Sequence, residues 1–133
     1  MIRYETILKA IADEKRFKLI SLIIKENSEF YVCELTDALG ESQYNISKYL
    51  KEFKVANLVK IRRVGKGILY SPIEPEEDFL KLLFKAIQSI PDDYIKKERE
   101  LLKLRVNLRK DNKCIAKIQN QNWKEEIEKN KTN

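Results

Sequence analysis

The sequence predicts a mainly α-helical fold with one small β-hairpin, and three observations predict it. Charged residues make up 36% of the 133, while Gly and Pro number only 3 each. That is too few turn formers for a sandwich or barrel. Apolar residues recur at helical spacing in segment after segment. One basic, β-branched stretch, Leu58 to Ser71, is interrupted only by Gly65-Lys66-Gly67, a strong hairpin cue.

The elements follow in order. Arg3 to Ala12 reads as a helix with Ile7, Leu8 and Ile11 on one face. Asp13 is placed to cap the next helix, which runs to about Lys25 with Phe17, Ile20 and Ile24 on one stripe. Asn27-Ser28-Glu29 is a polar break. A short helix covers Tyr31 to Leu39 and stops at Gly40. Ser42 caps a helix from Gln43 to about Val55. Ile46, Leu50 and Phe53 stand at i, i+4 and i+7 and face inward, which leaves Gln43, Tyr44, Asn45, Ser47, Lys48, Tyr49 and Lys51 outside.

The hairpin comes next, closed off by Pro72 and Pro75. Glu76 to Ile90 is strongly periodic through Phe79, Leu82, Leu83, Ala86 and Ile87. Pro91 breaks it, and Asp92 or Asp93 caps a further helix to about Arg109. Asp111-Asn112 is a turn candidate, and the polar tail beyond is expected to be weakly ordered or peripheral. The chain therefore divides into a compact domain, 1-91, and a helical, partly disordered C-terminal extension, 92-133.

Helix, short helix, Gly, Ser-capped helix and basic hairpin, in that order, make a winged helix-turn-helix. The charge agrees with nucleic-acid binding. The net charge is +6, and Glu41 to Gly67 carries seven Lys/Arg against two acids, so that segment supplies +5 of it. A helix with one apolar face docks on the core while its other face enters the major groove. A wing carrying Arg62, Arg63 and Lys66 can lie along the backbone or the minor groove.

Composition also excludes. With no histidine, Ser-His-Asp triads, Cys-His pairs and imidazole metal sites are ruled out. No nucleotide loop or paired catalytic carboxylates occur, so the chain does not read as an enzyme. The amphipathic N-terminus and the lack of a long apolar run predict no secretory leader, no membrane span and a cytoplasmic location. There the two cysteines, Cys33 and Cys114, are expected as free thiols.

These residues resemble the ArsR/SmtB metalloregulator family over about residues 5 to 90. The resemblance is carried by Ile11-Ala12-Asp13-Glu14-Lys15-Arg16-Phe17, Val32-Cys33-Glu34-Leu35, Ser42-Gln43-Tyr44-Asn45-Ile46-Ser47-Lys48-Tyr49-Leu50, and the hairpin Arg62 to Tyr70. It implies a homodimeric repressor that binds a double-stranded DNA operator and lets go when an inducer binds. It places Ser42, Gln43, Tyr44, Asn45, Ser47 and Lys48 on the DNA-reading face, with Arg62, Arg63 and Lys66 on the wing. It pairs the first helix and the Glu76 to Ile90 helix across a two-fold, through Ile7, Leu8, Ile11, Phe79, Leu82, Leu83, Ala86 and Ile87. Ser42 as a simple helix cap, and both helices packing only on their own core, are the alternatives.

Arsenic-sensing members of the family carry Cys-Val-Cys at the start of the short helix. Here the residues are Tyr31-Val32-Cys33, so the first ligand is missing. One thiolate cannot hold a trigonal soft-metal site. Cys114, beside Arg109, Lys110 and Lys113, is the more thiolate-prone of the two. Cys33 and Cys114 are thus candidates for a thiol switch. They either bind arsenite or another thiophilic metal ion together or become oxidised together; the alternative is that each is a small buried hydrophobe. No cofactor is required. A regulator that responds to thiol redox or to no ligand, and a winged-helix module for protein or RNA, remain open readings.

Overall fold

The structure, a computed structural model, describes residues 3–109. Five helices build the first part: α1 (Tyr4–Ile11), α2 (Glu14–Glu26), α3 (Val32–Leu39), α4 (Gln43–Val55) and α5 (Asp78–Gln88). A short strand β1 (Phe30–Tyr31) precedes α3, and the wing strands β2 (Val59–Val64) and β3 (Gly67–Pro72) follow α4. After α5, a 3-10 turn (Asp92–Ile95) leads into α6 (Lys96–Asn107). The result is mainly helical with a small antiparallel sheet, as the composition predicts.

Local chemistry sets the helix ends. The Asp13 carboxylate accepts from the Arg16 backbone N–H at 3.2 Å and opens α2. Asn27, left-handed at φ 47°, closes it. α2 is the hub: Leu19 through Ile24 are all buried, so this helix is covered on every side. Leu35 of α3 and Ile46, Leu50 and Phe53 of α4 close on it, the last three on the inward stripe their spacing predicts.

The sheet has the order β1-β3-β2, with β3 in the centre. Phe30 and Tyr31 pair with Tyr70 and Leu69, and Val59 to Val64 pair with Pro72 back to Gly67. β1 has only two residues, too few to show an alternating pattern, so the sequence reading folds it into the α3 helix. A Cβ on Gly67 would lie 2.7 Å from Cε1 of Tyr31, so the central strand needs glycine where that ring crosses it.

One element departs from expectation. α5 turns Leu80, Phe84 and Ile87 inward, one residue round from the Phe79, Leu82, Leu83 and Ala86 stripe. The segment after Pro91 is a docked element: Ile95, Leu102 and Arg105 are fully buried. α6 lies against α3, and Lys25 of α2 holds the entry to it by donating to the Gln88 and Ile90 carbonyls at 3.3 and 2.5 Å. The Asp111-Asn112 turn candidate and the tail beyond it lie outside the described residues.

Candidate nucleic-acid interface

α4 stands on the core through Ile46, Leu50 and Phe53 and turns its opposite side to solvent. Ser42, Gln43, Tyr44 and Lys48 are exposed there, and Asn45 and Ser47 are half-buried. Ser42 caps the helix: its Oγ accepts from the Asn45 N–H at 3.1 Å. The Asn45 side chain is engaged as well, donating from Nδ2 to Glu41 at 2.9 Å. Gln43, Tyr44 and Lys48 are the side chains at this end that project freely, with Tyr44 77% exposed.

Glu41 organises this corner. Its carboxylate takes Lys15 Nζ at 2.8 Å, Asn45 Nδ2 at 2.9 Å and the Ser42 N–H at 3.1 Å. The Lys15 hydrogen bond, with help from Asn45 and Ser42, pulls its pKa down to about 2. The sequence reading misses Glu41, although its i, i+4 spacing to Asn45 is the usual signal for such a contact.

The wing cations divide into two kinds. Arg62 forks onto Glu29 through Nε and Nη2 at 2.8 and 2.9 Å, which lowers the Glu29 pKa. Arg63 and Lys66 are exposed and make no ion pair among the described residues. Nothing in local spacing foretells the Glu29 contact, since it spans 33 residues.

Of the residues read as a dimer seam, Ile7, Ile11 and Ile87 belong to the core of this chain itself. Leu8, Leu82 and Ala86 are exposed, and Phe79 and Leu83 are half-buried. Leu82 is 65% exposed. The start of α1 meets the start of α5: Tyr4 donates to Glu77 at 2.5 Å, and its ring meets Phe79 edge-on at 4.9 Å.

Cys33 lies half-exposed on the first turn of α3. It is disulfide-bonded, which corrects the free thiol expected of it. Cys114 lies outside the described residues. Among the described residues, no cluster of three or more Cys, Asp or Glu side chains is arranged to hold a metal ion.

No family model matches the chain. Individual proteins do. It is 39% identical over 70 residues to the arsenic resistance transcriptional regulator ArsR1 of Pseudomonas putida, covering 53% of each chain. It is 37% identical over 62 residues to a transcriptional repressor SmtB homolog of Synechocystis, covering 47% of this chain and 46% of that one. The matched region thus spans about half the length of these relatives. An uncharacterised HTH-type transcriptional regulator of Methanocaldococcus jannaschii is matched over its whole length, 31% identical over 93 residues and 68% of this chain.

Proposed function

Because the chain belongs to the ArsR/SmtB family of winged helix-turn-helix transcriptional regulators, we propose that it is a homodimeric repressor that reads a palindromic duplex operator. The observation that carries this reading is the solvent-facing edge formed by α4 and the wing. Gln43, Tyr44 and Lys48 project from a helix docked through its opposite face, and Arg63 and Lys66 of the wing stand exposed and without ion pairs among the described residues. Side chains near the N-terminus of such a helix reach base edges, and wing cations hold phosphates. Leu8, Phe79, Leu82, Leu83 and Ala86 supply the seam with a second copy, placing two α4 helices on one face of the DNA.

A second reading concerns release. The disulfide at Cys33, on the first turn of a helix-turn-helix helix, favours a thiol switch built from Cys33 and Cys114. Its signal is a change of oxidation state or capture of arsenite by the reduced thiols. No described helix is long and apolar enough to cross a membrane.

One binding experiment tests both readings. Fluorescence anisotropy follows palindromic and scrambled duplexes across a salt series, with reductant, oxidant or arsenite added. The reading expects affinity to fall steeply with salt, with preference for one palindrome. It expects oxidant or arsenite to shift that affinity in the wild type and not in the Cys33→Ser/Cys114→Ser double variant. Flat, sequence-blind binding would sink the repressor. An unchanged response in the double variant would sink only the switch.

A further inference from the structure

A cleft of about 620 Å³ opens beside α4, on the side facing α1. One wall is a single helical stripe of α4: Ser47 and Lys48 lie three and four residues after Tyr44, and Lys51 and Val55 follow at i+3 and i+4 steps from Lys48. The other wall is α1, through Thr6 and Lys9, with Arg16 of α2 at its edge. Four cations line the cleft against one carboxylate, Glu52.

Three of the four cations are not committed to the fold. Lys9, Lys48 and Lys51 are exposed and make no ion pair among the described residues. Arg16 is half-buried and engaged, 3.7 Å from Glu52, 3.3 Å from the Lys9 carbonyl and over the Tyr49 ring. The stripe also carries two large exposed apolar groups, Tyr44 and Val55, the latter 82% exposed. Open, largely apolar walls that carry exposed cations suit a chain of sugars and phosphates that slides in from one side. A closed pocket with buried polar partners, which would suit a small anion, is not what the walls form.

We infer that this cleft seats the sugar–phosphate backbone of the duplex next to the bases α4 reads, with Lys9 and Lys51 as its principal phosphate contacts. The inference rests on the DNA-binding reading above and extends it. The duplex is then gripped on three lines: the wing, the N-terminal end of α4, and a line running to α1. Because α1 also carries the seam residue Leu8, the grip on phosphate and the pairing of two copies share one eight-residue helix.

The test uses the full chain and the same two duplexes. Lys9→Ala and Lys51→Ala should each weaken both duplexes about equally. Each should lower the slope of log affinity against log salt by about 0.9, the value of one lost phosphate contact. Lys9→Arg should restore the slope, and Lys97→Ala, on an exposed position of α6, should leave it unchanged. A slope unaltered in Lys9→Ala and Lys51→Ala, while Lys66→Ala on the wing still lowers it, overturns the cleft and leaves the repressor reading standing. Loss confined to the palindrome also overturns it, since a phosphate contact carries no base preference. Absence of salt-dependent binding by the wild type removes both.

Discussion

Two regions of this molecule use the same side chains for opposite ends. Along the α3–α6 seam, basic and acidic groups are buried and matched. Arg105 of α6 is 0% exposed and donates from Nε to Asp37 of α3 at 2.7 Å. Arg109 forks onto Glu34, itself 0% exposed, at 2.5 and 2.6 Å, and lies over the Tyr31 ring. Along the α4–wing edge, Lys48, Lys51, Arg63 and Lys66 stand in solvent without ion pairs among the described residues. A buried cation must be matched because leaving it alone costs several kcal/mol. An exposed one is stabilised by water, so it stays free for a polyanion whose counterions it displaces. Burial, more than residue type, forces the seam cations to be matched, while exposed Arg62 and Lys15 show that a cation in solvent can be paired or left free.

The sharpest way to break the comparison is to remove one half of a buried pair. Arg105→Ala strands Asp37, whose pKa burial already raises against the pull of the guanidinium. Unfolding in urea should show a loss of about 3–5 kcal/mol. The double variant Arg105→Met/Asp37→Leu, which replaces both charges by apolar groups, should recover most of it. If Arg105→Ala costs no more than an exposed pair does, about 0–1 kcal/mol, then α6 is not an integral part of the domain.

A smaller effect is expected at the other pair. Glu34 accepts from the Tyr31 N–H at 2.9 Å as well as from Arg109, so it starts α3 and ties down α6 together. Glu34→Gln keeps the shape and removes the charge. It should cost about 1–3 kcal/mol, the range for weakening a buried charge-assisted hydrogen bond. Stability within error of wild type would show that solvent reaches this carboxylate.

The edge was legible in the sequence and the seam was not, for a physical reason. The Ser42 cap, the Ile46-Leu50-Phe53 stripe and the Gly65-Lys66-Gly67 turn are local, with partners a few residues away, so spacing reveals them. Arg105 and Asp37 are 68 residues apart, and Arg109 and Glu34 are 75 apart. No periodicity links such positions, and a charge-rich segment such as Lys96 to Asn107 reads as a solvated helix. The α5 stripe failed differently. Two overlapping apolar faces run along that helix, and only tertiary packing decides that Leu80 and Phe84 go inward while Leu82 stays out. In the candidate site, the exposed side chains were readable and Glu41 carried a local i, i+4 signal to Asn45, whereas Glu29, 33 residues from Arg62, carried none.

The smallest expected effect lies on the edge itself, where one carboxylate behaves partly like the seam. Glu41 binds Lys15 and Asn45 and is held at a pKa of about 2, against 4.5 for an ordinary glutamate. A carboxyl whose folded pKa lies below its unfolded one adds stability that is fully present above the unfolded value. That contribution is lost as pH falls through the folded value. Glu41→Ala should therefore lower the melting temperature by a constant amount from neutral pH down to about pH 5, and the gap from wild type should narrow between about 4.5 and 2. The same substitution frees the Asn45 side chain, so base preference at the position next to Gln43 should loosen while the salt slope holds. A gap that does not change with pH would mean that Glu41 acts through packing. It would then be an ordinary member of the solvent-facing edge, and the boundary between the two regions would run between α3 and α4 without exception.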